Sequence, residues 1–255
     1  KFVKIDDLKP GMRLAKPIYN KNGVLLYDRN SRLTLPGIKS VENFGLIGIY
    51  TLEPAEPLPP LSREDLAFEQ NQTVYMFKLR EVFENISNRR NIEVLPSLVQ
   101  DIRRKYGTLD HRVNFNQNIR SADDFHFKHG ISTAILSAMI SSRMTMTARN
   151  KDALVCASLL YGFGYGSVPA NIISKGNELS KGDEDTIQKF LEKGYDDLSH
   201  YQNDFEFMPQ TNRLMRYYIF SQNPEHNITK DPELELLSNV LKVADNFDRL
   251  TAMNL

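Results

Sequence analysis

The segment DDFHFKHGISTAILSAMI, residues 123–140, carries the pattern on which the interpretation of this chain depends. Its apolar residues predict a helix over residues 125–142, and His126 and His129 lie three residues apart on roughly the same helix face. Two further segments are considered together with it as candidates for one site. They are LLYGFGYGSVPANIISKGNELS at residues 159–180 and VLKVADNFDRLTA at residues 240–252. Because a helical domain can build a metal centre from histidines and carboxylates on facing helices, these segments raise the question of a metal site.

The chain from residue 62 onward is predicted to be helical along most of its length. Apolar residues recur there at three- and four-residue spacings, and Ser62 followed by Asp65 predicts an N-terminal cap with an acidic first turn. The predicted helices cover residues 64–90, 93–106, 125–142, 149–161, 183–199, 208–221 and 233–252. The larger part of the chain is therefore expected to be all-α, and the whole chain mainly α.

Residues 1–52 predict a small β-rich domain of α+β type. The runs KFVKI, MRLAKPIY, GVLLY and LIGIY are β-prone and separated by turn signals, Asn22-Gly23 predicts a hairpin, and a helix is expected near residues 35–44. Prolines then dominate EPAEPLPPL, which predicts a stiff, extended linker. The predicted organisation is a β-rich domain at 1–52, a linker at 53–62, a helical connector at 63–122 and a helical domain at 123–255.

Composition and charge exclude several classes of protein. The 255 residues contain 32 Lys and Arg against 32 Asp and Glu, so no net charge draws the chain to nucleic acid. A single cysteine, Cys156, excludes an internal disulfide framework and a zinc site built on several thiolates, and we expect it to be a small buried hydrophobe. No apolar run approaches the ~20 residues of a membrane span and no signal-peptide pattern stands at the start, so a soluble, cytoplasmic protein is expected.

In their order and spacing, the three segments resemble the HD-GYP branch of the HD-domain metal phosphohydrolases. Members typically have a helix-borne His, a His-Asp pair followed by x-G-K and I-P-x-x-I-L, a further His, a His-His pair, and finally A-D-x-F-D-A-L-T. The resemblance implies an all-α HD-type helical domain; in active members these residues bind two or three metal ions, often iron or manganese, and hydrolyse cyclic di-GMP. The L-K-P-G-M sequence at residues 8–12 also resembles the small domain found ahead of some members.

Two residues of this chain match members of the family's ligand set. His129 matches the first helix-borne histidine, and Asp245, in A-D-N-F-D, matches the final aspartate. The stretch MRYYIFSQN at residues 215–223, where the His-His pair should fall, contains no histidine. The positions of the His-Asp pair, of the lysine and of the next histidine are occupied by Tyr161, Gly162, Tyr165 and Phe190.

These losses predict a protein without a binuclear metal centre. Two neighbouring cations need several carboxylate and imidazole ligands to offset their mutual repulsion, and Gly162 removes the bridging carboxylate altogether. We therefore expect no metal ligand set, no cofactor and no catalytic residues. His129 and Asp245 are instead expected to form a structural hydrogen bond in the core.

The replaced positions leave alternatives open. Tyr161, Tyr165 and Phe190 either fill the space vacated by the metals or form a ligand-binding surface that stacks on a guanine base. The G-F-G-Y-G sequence at residues 162–166 either cradles a phosphate or allows close backbone packing; it lacks the preceding strand and the lysine of a P-loop, which favours packing.

The leading hypothesis is a catalytically inactive HD-GYP-like protein that acts in bacterial signalling as a protein-interaction module, with or without a retained nucleotide pocket. One alternative is an active, metal-dependent cyclic di-GMP phosphodiesterase with a rearranged site, built from His126, His129, Asp123, Asp124 and Asp245. Another is an effector that binds cyclic di-GMP without hydrolysis. Protein partners are expected, nucleic acid and a membrane span are not, and a homodimer is an additional expectation because HD-type helical domains often pair.

Overall fold

The computed structural model describes residues 1–53, 62–110, 119–120, 124–176, 178–221, 226, 228–251 and 253–254. Contacts between Cα atoms divide the chain into two compact units, Lys1–Phe77 and Lys78–Leu255, and the division falls inside one long helix. The described part of the first unit combines short strands with helix, whereas the described part of the second is helical apart from one pair of two-residue strands.

The first unit contains a small antiparallel sheet, a hairpin and one short helix. Its elements are β1 (Phe2–Lys4), β2 (Arg13–Leu14), β3 (Ile18–Tyr19), β4 (Leu25–Tyr27), α1 (Leu35–Asn43) and β5 (Gly48–Leu52). The sheet has the order β1-β5-β2, and β3 pairs with β4 as the Asn22-Gly23 turn predicts. Thr34 caps α1 by accepting a hydrogen bond from the Gly37 N–H. The apolar side chains share one core, formed by Val3, Leu8, Leu14, Ile18, Leu33, Val41 and Ile49.

The N-terminal part of helix α2 (Arg63–Ser87) also belongs to the first unit. The side-chain amide of Gln70 donates a hydrogen bond of 2.5 Å to the Gly23 carbonyl oxygen. Lys16 Nζ lies 2.6 Å from Glu69 Oε1, and both side chains are largely buried. These contacts hold the hairpin against α2, which is why the compact unit extends beyond the β-strands into this helix.

The second unit is a helical bundle with two helices at its centre. Its remaining elements are α3 (Val94–Tyr106), β6 (Ile119–Arg120), α4 (Phe125–Ser142), α5 (Ala148–Leu160), α6 (Ala170–Ile173), α7 (Lys181–Ser199), α8 (Met208–Phe220), α9 (Pro232–Thr251) and β7 (Met253–Asn254). A 3₁₀ helix, Tyr161–Ser167, continues directly from α5, and β6 pairs with β7 in parallel.

Helices α4 and α5 form the centre because they carry apolar or small residues on nearly every side, a pattern typical of helices surrounded by protein. Helix α4 packs against α3, α5 and α9, and α5 packs against α8. At the contact between the two central helices, Ser158 Oγ donates a hydrogen bond of 2.9 Å to Ser137 Oγ. Burial raises the pKa of the Cys156 thiol to about 12, so Cys156 is the protonated core side chain that its context predicts.

A close backbone approach fixes the 3₁₀ helix against α7. A Cβ atom on Gly164 would lie 2.1 Å from the Phe190 carbonyl oxygen, and one on Gly194 would lie 2.7 Å from the Gly164 nitrogen. Only glycine allows two backbones to come so near each other. The G-F-G-Y-G segment therefore serves helix packing, the alternative that its sequence favours over a phosphate-binding loop.

The predicted fold class is confirmed: the chain is mainly α, with a small β-rich part ahead of the helical part. The predicted cap of α2 is present, since the Asp65 N–H donates to Ser62 Oγ and the Ser62 N–H donates to the Asp65 carboxylate, both at 3.0 Å. The 3₁₀ helix and α6 had no sequence prediction, because glycine and proline dominate that stretch.

Other sequence predictions stay predictions. Most of the proline-rich linker lies outside the described residues, and the division into two units does not test the three boundaries between the four predicted segments. Among the described helices, none has the length and apolar character needed to cross a bilayer. The cytoplasmic location likewise remains a prediction.

The glycine contact between the 3₁₀ helix and α7 can be tested by adding one methyl group. Gly164→Ala should lower the free energy of unfolding by about 2 kcal/mol or more, because the added Cβ overlaps the α7 backbone. Urea denaturation measures this directly. Gly182→Ala is the matched control, since its Cβ would meet nothing nearer than Ser180 Oγ at 3.9 Å. Equal stability of the two variants would contradict the packing role.

Candidate functional site

His129 is the buried centre of a polar cluster in the second unit, and none of its surface is exposed. It lies in the second turn of α4, where its ring stacks on Phe125 at 5.1 Å between ring centroids. Its Nδ1 atom lies 2.5 Å from Asp248 Oδ2, and its Nε2 atom lies 2.8 Å from Asp245 Oδ1. Each ring nitrogen thus faces a carboxylate on α9, so both positions of the imidazole are already engaged within the protein.

Asp245, which is 5% exposed, receives donors on both of its carboxylate oxygens. Tyr161 donates to Oδ1 at 2.7 Å, and Arg249 donates to the same oxygen through Nε at 2.8 Å. Tyr218 donates to Oδ2 at 2.7 Å. With His129 facing Oδ1 as well, four groups surround a carboxylate that offers about four acceptor positions. Both carboxylate oxygens of Asp245 are therefore engaged by side chains.

The two tyrosines of the cluster are hydrogen-bond donors at neutral pH. Burial raises the pKa of Tyr161 well above its ordinary value, and the neighbouring Asp245 carboxylate raises it further. The pKa of Tyr218 is raised well above its ordinary value for the same two reasons. Because both phenols stay protonated, each can donate its O–H to Asp245 rather than bind a cation as a phenolate.

Arg249 brings a positive charge to the rim of the cluster. Besides its bond to Asp245, its guanidinium donates to the Tyr165 hydroxyl and lies over the Tyr165 ring at 5.3 Å from the centroid. A buried carboxylate needs a compensating charge or several hydrogen bonds. Arg249 supplies the charge, and it also explains the position of Tyr165, whose hydroxyl accepts this bond.

The residues present do not fit a binuclear metal centre. Across the part of the chain that the structure describes, no group of three or more His, Cys, Asp or Glu side chains is arranged to hold a metal ion. At the positions of the family's His-Asp pair, Tyr161 is occupied as a donor and Gly162 has no side chain. His129 and Asp245 are the two residues that match family ligands. The ring nitrogens of His129 face Asp245 and Asp248, and the oxygens of Asp245 contact His129 and neighbouring side chains.

The structure brings five of the six predicted site positions together and leaves one apart. His129, Tyr161, Tyr165 and Asp245 contact one another directly or through Arg249, and Gly162 adjoins Tyr161 in the 3₁₀ helix.

Phe190 lies outside this group, although it was predicted to complete an aromatic filling. A cavity of about 230 Å³ lies beside the cluster, and Tyr161, Tyr165 and Tyr218 line it, but Phe190 does not. Instead, the neighbouring residue Leu191 lines the cavity, and Phe190 contributes its carbonyl oxygen to the contact with Gly164.

The described ligands of the alternative, rearranged site are dispersed. The Asp124 carboxylate lies 2.6 Å from Lys128 Nζ. His126 is half-buried, and its ring stacks on Phe83. Asp123 lies outside the described residues. Asp124 and His126 therefore do not join His129 and Asp245 in one site.

Three residues of the cluster were missed by the sequence analysis, although each had a signal. In the motif A-D-x-F-D-A-L-T, Asp248 matches the second aspartate, and Arg249 replaces the alanine that follows it. Tyr218 lies in the stretch where the family's His-His pair should fall. Arg249, beside an aspartate of the motif, and Tyr218, in the region of the His-His pair, both depart from the family pattern. Such departures at ligand positions could have indicated the site.

The comparisons with known proteins agree with this location. A family model described as an HD domain matches residues 114–255, which is more than half of the chain. The matched range contains α4 to α9, and with them every residue of the cluster. No curated protein and no solved structure matches the chain.

The cluster should stabilise the fold, and replacing its central residue tests this. His129→Ala leaves two carboxylates without a shared partner, and we expect the free energy of unfolding to fall by about 3–5 kcal/mol. Tyr218→Phe, which removes one donor to Asp245, should cost about 1–3 kcal/mol. Thermal and urea denaturation provide the measurements. His200→Ala, an exposed histidine, is the control and should change stability by less than about 0.5 kcal/mol; an unchanged His129→Ala protein would refute the structural role.

Proposed function

The chain belongs to the HD-domain family, and from this membership we propose that it is a catalytically inactive relative of the HD-GYP branch, acting in bacterial signalling through protein–protein contacts. The family consists of metal-dependent hydrolases whose chemistry depends on a shared set of His and Asp ligands. The proposal is that this chain has kept the helical frame of the family and has converted its ligand cluster into a structural one.

One observation carries the proposal: the Asp245 carboxylate is surrounded by Tyr161, Tyr218, Arg249 and His129. In a metal-dependent hydrolase, cations neutralise such a buried carboxylate and generate the attacking hydroxide. Here the Arg249 guanidinium neutralises it, and the hydroxyls of Tyr161 and Tyr218 each donate a hydrogen bond to one of its oxygens. None of these groups can take over the activation of water, because Arg249 stays protonated and both tyrosines have raised pKa values.

The rearranged, active site receives less support. It requires His126 and Asp124 to join His129 and Asp245, yet Asp124 is paired with Lys128, and His126 lines a different cavity. Movement of these groups into one site would have to break the Lys128 ion pair and take the His126 ring off Phe83.

Binding of cyclic di-GMP without hydrolysis also receives less support. The cavity beside the cluster measures about 230 Å³, whereas pockets for drug-sized ligands usually measure about 300–1,000 Å³. Cyclic di-GMP contains two guanosine units and therefore needs a large site.

Helix α9 offers a surface for protein contacts. Among the described residues of the second unit, the large apolar side chains that are most exposed all lie on this one helix: Leu236 at 43%, Val243 at 59%, Phe247 at 47% and Leu250 at 74%. Spacings of seven, four and three residues place them on one face. Exposed apolar faces of this kind mark interaction sites.

The occupant that this face fits best is a second copy of the same chain. Glu235 and Lys242 are exposed and seven residues apart, as are Leu236 and Val243. In an antiparallel pairing about a twofold axis, each Glu235 comes next to Lys242 of the other copy while Leu236 meets Val243. The α9 face is therefore complementary to itself in charge and in apolar character.

The loss of activity is tested by measuring metal content and turnover on one preparation. Protein purified with iron or manganese supplied should contain far less than one metal ion per chain and should not hydrolyse cyclic di-GMP, because no group of three or more His, Cys, Asp or Glu side chains among the described residues is arranged to hold a metal ion. An active HD-GYP enzyme treated in parallel shows that the conditions permit loading.

Stoichiometric metal together with turnover would overturn the proposal. If metal is found, Asp245→Asn identifies its location, since a metal bound at the cluster must be lost in this variant. Titration calorimetry with cyclic di-GMP distinguishes an effector that binds cyclic di-GMP without hydrolysis from a pure protein-interaction module, because only the effector gives a saturable heat.

The α9 pairing predicts a concentration-dependent dimer in sedimentation velocity. Val243→Asp should shift the protein to monomer, whereas Val24→Asp, which alters a similarly exposed valine in the first unit, should not. Glu235→Lys should weaken the dimer and the double variant with Lys242→Glu should restore it, since the swap recreates both ion pairs. A wild-type monomer at all accessible concentrations would refute self-association through α9.

A further inference from the structure

A second cavity, of about 400 Å³, lies between α2, α4 and the 3₁₀ helix of the second unit. It shares no lining residue with the cavity beside the Asp245 cluster. Its size falls in the range of about 300–1,000 Å³ that is usual for small-molecule sites. The proposed function does not use this cavity, so its role can be considered independently.

Aromatic rings form one wall of the cavity. Phe83, which is buried, meets Phe163 edge to face at 5.0 Å between centroids, and Phe127 lies 5.5 Å from Phe83. The His126 ring is nearly parallel to the Phe83 ring, at an interplanar angle of 10°. Such a wall favours a planar aromatic group, because rings gain from edge-to-face and offset contacts beyond the burial of their area.

The polar side chains that α2 contributes to the cavity are rich in hydrogen-bond acceptors. The Ser87 hydroxyl donates its proton to the Phe83 carbonyl oxygen at 2.9 Å, and the Asn88 amide donates to the Glu84 carbonyl oxygen at 2.7 Å. The Glu84 side chain is exposed, and among the described residues no group donates a hydrogen bond to its carboxylate. Because a carboxylate can only accept, this rim favours a ligand that donates.

His126 contributes a neutral, accessible imidazole from α4. Burial lowers the pKa of His126 to about 4, so the ring is uncharged at neutral pH. In the part of the chain that the structure describes, its ring nitrogens make no hydrogen bond. Gly166 lines the same cavity, and a Cβ atom there would lie 3.5 Å from His126 Nε2. The missing side chain leaves this nitrogen open to the cavity, beside the aromatic wall.

We propose that this cavity binds a small, neutral, planar aromatic molecule that carries an N–H donor, of which indole is the simplest example. The ring lies against Phe83 and Phe163, beside the His126 imidazole, and its N–H donates to the Glu84 carboxylate. Arg80 also lines the cavity, but it already has interaction partners, and no group of the ligand is assigned to it.

The test is a nuclear magnetic resonance titration that follows the His126 ring protons, which His126→Gln identifies. Indole carries both features of the ligand, whereas 1-methylindole lacks the N–H and acetamide lacks the ring. Indole should give saturable shifts at one site per chain. We expect 1-methylindole to bind at least about fivefold more weakly and acetamide at least about tenfold more weakly.

A variant of the rim assigns the acceptor. Glu84→Ala should weaken indole binding about five- to tenfold and should leave the affinity for 1-methylindole unchanged, because only indole donates to the carboxylate. Glu81→Ala is the matched control, since Glu81 is also exposed on α2 but does not line the cavity. Both positions are exposed helical sites, so alanine should leave the fold intact.

Three outcomes would overturn this inference: no saturable shift with indole up to about 10 mM, equal binding of indole and 1-methylindole, or unchanged affinity for indole in Glu84→Ala. None of them bears on the Asp245 cluster. Failure here and failure of the proposed function are therefore distinguishable.

Discussion

The need to satisfy one buried carboxylate, that of Asp245, organises the second unit. A carboxylate at 5% exposure is tolerated in a core only if charge and hydrogen bonds compensate for the lost water. The compensation comes from α4 through His129, from the 3₁₀ helix through Tyr161, from α8 through Tyr218 and from α9 itself through Arg249. One side chain thereby ties four elements together, and breaking any of these links leaves a buried polar group unpaired.

Under the proposed loss of the metal centre, the same cluster accounts for how the helical frame would persist. In the family, cations provide the positive charge that holds inward-facing carboxylates and imidazoles together. In this chain, Arg249 takes the place of a small residue next to the ligand aspartate, and tyrosines occupy the ligand regions. The close contact of Gly164 with α7 keeps Tyr161 and Tyr165 near α9, so the hydroxyls reach the carboxylate and the guanidinium. In the proposed function, the hydroxyl protons of the tyrosines and the Arg249 guanidinium compensate the carboxylate charge that metal ions compensate in the family's enzymes.

Much of the fold could be predicted from the sequence because its signals are local. The periodicity of α4, the Ser62–Asp65 cap and the Asn22-Gly23 turn each depend on residues a few positions apart. The predicted contact of His129 with Asp245 is present as well, since the family resemblance preserved both positions. Phe190 was expected in the aromatic filling because alignment assigns a position but not the direction of a side chain. The surroundings of His126 could not be predicted, because the sequence does not reveal which phenylalanines pack against its ring.

The sequence by itself determined that Tyr161 and Gly162 stand where the resemblance to the HD-GYP branch leads one to expect a His-Asp pair, and that residues 215–223 contain no histidine. It also determined the helices, because periodicity and caps act over one or two turns. Only the tertiary structure decided which side chains surround the Asp245 carboxylate. Tyr161 is 84 residues from Asp245, and His129 is 119 residues from Asp248, so their pairing depends on how the helices pack. Hydrogen bonds over such separations form only after the core has closed, and no local pattern encodes them.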